Sequence, residues 1–173
     1  MSRYSIGRRI AKDIMTRDKH GVTYRRIQNE AKNRSGSVQV DTPYGGIWMS
    51  AIEHELYEAM REQGLSPEPQ LCIGGYFVDF AFEDVKVAVE ADGATYHSGE
   101  RHERDAARDA VLGRAGWKVM RFYGTAIHSK AANCVNAIKR EVEGRRAHAS
   151  AKAQREERRA TILDPFRRLF GRR

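Results

Sequence analysis

Cysteine is scarce: the 173-residue chain has two, Cys72 and Cys134. Two such residues give neither a disulfide framework nor the spacing of a Cys/His metal site. No run approaches the roughly 18 apolar residues of a membrane span. The first residues also lack the apolar stretch of a signal peptide. These absences lead to the expectation of a reduced, cytoplasmic chain, one domain with appended arms. Acids are sparse at both ends. Residues 1–48 carry 10 Lys/Arg against 4 Asp/Glu, and residues 124–173 carry 13 against 5. Residues 49–123 reverse the balance, with 8 against 14. An acidic centre between basic arms suits a metal-dependent site acting on a polyanion. The arms would neutralise phosphates and release counterions while the acids hold the ion. The plainer account is a pair of basic ends with no defined partner.

What is present centres on one stretch, Tyr76 to Gly93: YFVDFAF, a polar turn near Glu83 and Asp84, then VKVAVEADG. Val, Phe and Ala dominate both arms, so they read as antiparallel strands. A turn of even length sets Asp79 opposite Ala88 and Phe77 opposite Glu90. Side chains alternate with period two. One face then holds Val78, Phe80, Phe82, Val85, Val87, Val89 and Ala91, which need a core. The other holds Phe77, Asp79, Ala81, Lys86, Ala88, Glu90 and Asp92. Carboxylates collected on one face repel unless neutralised. Mg²⁺, or Mn²⁺ in its place, would do so through oxygen ligands. A solvated acidic face is the other reading.

Around this hairpin the pattern is mixed. Ile6, Ile10 and Ile14 suit a short helix, and Thr23 suits the cap of a second. Together they make a basic N-terminal helical arm over residues 1–48, with a helix-turn-helix as one option. NRSGSVQVDTPYGG reads as loop with a short strand at Val38–Val40. Ser50 and Glu53 form a capping box at the head of a helix that Gly64 ends. A loop over Ser66–Gln70 leads to Leu71-Cys72-Ile73. Helices are expected from about Glu100 to Ala115 and from about Ala126 to Val142, with a strand, WKVMRFY, between them. Strand, helix, strand implies a crossover and parallel pairing. The tail, residues 146–173, is basic. Asp164 and Pro165 mark a final amphipathic helix that suits a protein partner or an anionic surface.

The element order and the segments SAIEHELY, PQLCIGGYFVDF, VAVEADGATYH and RDAVLGRAGWKVMRF resemble the PD-(D/E)XK, or restriction-endonuclease-like, nuclease superfamily. Within it, the group of very short patch repair (Vsr-like) endonucleases is the most similar. The resemblance covers residues 50–122 and implies an α/β fold over residues 49–145: a mixed sheet, antiparallel hairpin plus parallel strand, flanked by helices. It implies a Mg²⁺-dependent DNA endonuclease of nicking, homing or restriction/defence type, as monomer or homodimer. The alternative is a nucleic-acid-binding module on the same fold, with cleavage weak or lost, serving a larger complex. Asp79 matches the central metal-binding Asp, Glu90 the acid of the (D/E)XK element, and Glu53 the acid of the first helix. Asp92 would join the metal's surroundings. His97 falls where Vsr-like proteins keep a histidine and would accept or relay the proton. Asp105 or Asp109 would match a last acid. Arg108, Arg121 and Lys86 would contact nucleic acid, although Arg108 and Arg121 equally suit ion pairs across the helix–strand layer. Two departures stand out. Glu90-Ala91-Asp92 lacks the usual lysine, so His97, Lys86 or Arg121 would have to replace it. No Cys/His cluster supports the structural zinc of Vsr enzymes, which puts mismatch repair in doubt.

Overall fold

A capping box predicted from Ser50 and Glu53 is in place in the computed structural model, which describes residues 19–42, 45–93 and 99–170. The Ser50 hydroxyl accepts from the Glu53 N–H, and the Glu53 carboxylate accepts from the Ser50 N–H at 3.0 Å. These bonds satisfy N–H groups that a helix start leaves without partners. In chain order the elements are α1 (Lys19–Lys32), β1 (Val38–Thr42), β2 (Gly45–Met49), α2 (Ala51–Glu62) and β3 (Glu68–Ile73). There follow β4 (Tyr76–Phe82), β5 (Val87–Asp92), α3 (Gly99–Arg114), β6 (Lys118–Tyr123) and α4 (Gly124–Phe170). The expected helix at Ile6–Ile14 lies outside the described residues. Thr23 sits inside α1 rather than at its cap.

The main sheet has the order β3-β4-β5-β6. Its first three strands are antiparallel, and β6 lies parallel to β5 after the α3 crossover. This is the α/β architecture expected. Its largest core cluster joins Phe80, Phe82, Val87 and Val89 to Leu56 and Met60 of α2 and to Ile127, Val135, Ile138 and Val142 of α4. A smaller cluster on Ile73, Val78, Ala81 and Ala88 takes Leu112 of α3. The short strand expected at Val38–Val40 is the start of β1, and it pairs with β2, where no strand is expected, in a second, two-stranded sheet. Val40 and Ile47 of this hairpin join the main core. Gln28 of α1 bonds both the N–H and the C=O of Trp48 and so fixes α1 on β2.

Three details of the central hairpin depart from expectation. Its turn is the four residues Glu83–Lys86, with Lys86 at φ 54°, so Ala88 pairs with Ala81 and not with Asp79. Val85 belongs to this turn and still reaches the core, at 9% exposure. Val78 packs with Ala81 and Ala88, not with Phe80 and Phe82. The cause lies at Asp79. Pairs on either side are regular (Pro69–Phe80 and Leu71–Val78), but the Gln70–Asp79 step is missing and Gln70 has φ 54°. Positive φ is rare outside glycine, and here it marks the point where strict alternation fails.

Helix α4 continues beyond Gly144 as the Ala-, Arg- and Glu-rich sequence allows, but without the separate start expected at Asp164. It kinks at Lys130, where φ is −154° and ψ is 54°. A mid-helix glycine costs about 1 kcal/mol, and bonds on its C-terminal side offset this. Arg145 donates to Glu141 and to the Val85 carbonyl, and Arg146 donates to Asp84 at 2.7 Å. None of the helices is long and apolar enough to cross a membrane, among the described residues.

Candidate active site

Glu90 is the one charged residue that is buried among the described residues, at 6% exposure. A carboxylate so placed needs charged partners. Two guanidiniums supply them. Arg108 of α3 donates Nη2 to Glu90 Oε1 and, at 2.9 Å, to the Phe77 carbonyl. Arg121 of β6 donates Nε to Glu90 Oε2 at 3.2 Å. The parallel register makes Glu90 and Arg121 neighbours across β5 and β6. Arg121 also grips Asp109 through both terminal nitrogens, at 2.9 and 2.6 Å. The Asp109 hydrogen bonds, with further help from Glu90, hold the Arg121 guanidinium above its ordinary pKa. The Arg108 Nε is buried and has no hydrogen-bond partner among the described residues.

Asp79 lies beside this network but outside its ion pairs. Assigned pairing of β4 with β5 ends at Phe80–Val89. Past that point Asp79 Oδ2 accepts the Ala91 N–H at 2.9 Å, so a side chain takes over from the ladder. Loss of solvation at its half-buried position lifts the Asp79 carboxyl from 3.8 to about 8. Glu53 and then Glu90 push it the same way, while the Ala91 N–H and Arg108 pull it back. Glu53 therefore has two roles: it caps α2 and adds negative charge beside Asp79. The head of α2 is held close by packing. A Cβ added to Gly93 would lie 3.2 Å from Ile52 Cδ1.

The structure thus brings Glu53, Asp79 and Glu90 together, with Arg108, Arg121 and Asp109 around Glu90. Asp92 ends β5, paired with Tyr123 in the parallel ladder. His97 lies outside the described residues, and so does the Asp105 side chain. Lys86 is not in this group. It sits in the Glu83–Lys86 turn, beyond the opposite end of β5 from Asp92, and donates Nζ to the Ala115 carbonyl at 2.9 Å. Of the two roles open to Arg108 and Arg121, the structure shows the ion pairs across the helix–strand layer, and Glu90 is where they meet. The signal for the Arg121 pair lies in the sequence: one acid and one arginine, in adjacent parallel strands, on a face otherwise filled by Ala88 and Val119.

The charge of the site fits a divalent cation, because Asp79 has two carboxylate neighbours and, among the described residues, no ion-pair partner of its own. Its ligand geometry is less complete. Both Glu90 oxygens are engaged, and among the described residues no three His, Cys, Asp or Glu groups form a ready metal-ligand set.

An acid-bearing antiparallel hairpin, a crossover helix and a parallel strand, packed between helices, define a restriction-endonuclease-like protein. The chain belongs to the REase_MTES_1575 family, whose model matches residues 52–142. Two uncharacterized proteins of Haemophilus influenzae are similar. One is 31% identical over 98 residues, which is 55% of this chain and 61% of that protein. The other is 43% identical over 47 residues, 27% of this chain and 39% of that protein. The chain thus spans less than two thirds of either relative. Among solved structures, the catalytic domain of the homing endonuclease I-Bth0305I is similar, at 15% identity and a TM-score of 0.44. That match covers 54% of this chain and 95% of that domain.

Proposed function

We propose that this chain is a metal-dependent DNA endonuclease that hydrolyses phosphodiester bonds, in the Vsr-like part of its superfamily. The observation that carries this reading is Asp79: a carboxyl pushed up to about 8 by burial and by two acidic neighbours. Such a group stays charged near neutrality only when a cation offsets its surroundings. Asp79, Glu90 and Asp92 would hold Mg²⁺ or Mn²⁺, with Glu53 close by. The bound ion would acidify a water and polarise the phosphate. His97 would take up or relay a proton. Arg108 and Arg121 hold the Glu90 carboxylate fixed in direction.

One observation favours a second reading, a nucleic-acid-binding module with weak or lost cleavage. Both Glu90 oxygens already have guanidinium partners, and no lysine follows Glu90 at the usual place. Conversion of supercoiled plasmid separates the two. With Mg²⁺ or Mn²⁺ the wild type should give nicked or linear DNA, and EDTA should stop it. Asp79→Ala should lower the rate by more than about 100-fold, the upper end of what outer-shell substitutions at metal sites cost. Binding without cleavage would favour the second reading. Cleavage that survives Asp79→Ala would remove Asp79 from the chemistry.

A further inference from the structure

Beyond Arg145, helix α4 leaves the core. Every residue from Arg146 to Thr161 is exposed. The only apolar side chains in this stretch are alanines, at 147, 149, 151, 153 and 160. That excludes the apolar stripe by which a helix docks on another helix or inserts into a lipid surface. Charge, however, is ordered. At 100° per residue, Arg145, His148, Lys152, Arg155 and Arg159 fall within about 80° of one another, on a single face. Their spacing is three or four residues throughout. Glu156 borders the stripe and lies 3.9 Å from Lys152, an exposed pair of little energetic weight. Arg158 lies off the stripe. The root of the helix is fixed, because Arg145 bonds the Val85 carbonyl and Arg146 bonds Asp84, both in the β4–β5 turn. The stripe therefore leaves the domain in a set direction. From Arg145 to Arg159 it is about 21 Å long, or about six base-pair steps of duplex.

We propose that this face of α4 is a second nucleic-acid contact, laid against the phosphate backbone of duplex DNA flanking the bond to be cut. The proposal rests on the nuclease reading for its choice of polyanion. Charge complementarity carries it: basic groups at a regular rise on a helix whose residues 146–161 offer no apolar stripe to another partner.

The test measures duplex binding in EDTA, so that cleavage does not intervene. Binding of the full chain should weaken from about 50 to about 200 mM salt, with a log–log slope of magnitude about 0.9 per phosphate neutralised. The triple variant Lys152→Ala/Arg155→Ala/Arg159→Ala should lower that magnitude by about 2–3. Arg158→Ala should change it by less than Arg155→Ala does. An unchanged slope in the triple variant overturns the proposal, as does an equal effect of Arg158→Ala, which would mark diffuse charge. Stripe-dependent binding to anionic vesicles in preference to duplex also overturns it. Plasmid cleavage, run in parallel, keeps the readings apart. Stripe-dependent binding with no cleavage under Mg²⁺ would sink the nuclease reading alone. Cleavage with no stripe dependence would sink this one alone.

Discussion

Arg121→Met is expected to lower the unfolding free energy by about 3 kcal/mol, near the bottom of the 3–5 kcal/mol range for breaking a buried ion pair. The reason is Glu90 more than the pair itself. The Glu90 side chain is 8% exposed, so its charge cannot turn to water when a guanidinium leaves. Arg108 remains on Oε1, which keeps the loss at the lower end. The Asp109 link contributes less, because Asp109 is 42% exposed and water can replace its partner. Urea denaturation should show a lower midpoint with an unchanged slope. Adding Glu90→Gln to Arg121→Met should recover part of the loss, since both substitutions act on one interaction. A loss under about 1 kcal/mol would mean that Arg108 alone neutralises Glu90.

Asp79→Asn is expected to abolish the pH dependence of stability between about pH 5 and 8 in the metal-free protein. The sign follows from the direction of the shift. Asp79 titrates at 3.8 ordinarily and at about 8 in the fold. The folded state therefore holds this proton more tightly than the unfolded chain. Asp79's contribution is greatest below about pH 4 and is lost as pH rises through about 8. The groups that set the shift are Glu53 and Glu90 on the raising side, and Arg108 and the Ala91 N–H on the lowering side. Thermal melts in EDTA should show the wild type gaining stability from pH 8 toward pH 5, before other carboxylates protonate. Asp79→Asn should be flat over that window and more stable than wild type at its alkaline end. Each 1 kcal/mol of difference moves the melting temperature by about 2–4 °C in a chain of this size. A wild-type profile that is already flat, or parallel to that of Asp79→Asn, would show that Asp79 is ionised without a metal.

Both predictions concern residues that the sequence marks, but through contacts it does not show. Local signals are legible. Ser50 and Glu53 announce a helix start because capping chemistry acts over four residues. The β4–β5 pair and the parallel β6 follow from apolar runs and the crossover rule. The failures come where a long-range contact overrides local pattern. Val85 looks like a strand residue because it is apolar, yet the turn carries it into the core. Val78 looks like a partner of Phe80, but the irregular Gln70–Asp79 step moves it to the other layer. Strand β2 escapes a sequence reading that does give β1, because GGIWM offers two glycines to a strand, and its stability comes from packing Ile47 and Met49 into the core. In the site, residue types predict which acids meet. They allow ion pairs for Arg108 and Arg121 but do not name Glu90 as the shared partner, nor show that Asp79 is left to its acidic neighbours, since that depends on how α3 lies on the sheet.

The hydrogen bond from Ala91 to Asp79 makes one backbone proton a gauge of the site's charge. Most amides in a sheet report on a neighbouring strand. This one reports on a carboxylate, because Oδ2 stands where a carbonyl would otherwise be. Its nuclear resonance frequency should follow the protonation of Asp79 and should jump when a cation draws electron density from that oxygen. Ala91 has only a methyl side chain, so the signal can be followed without altering any residue that carries chemistry.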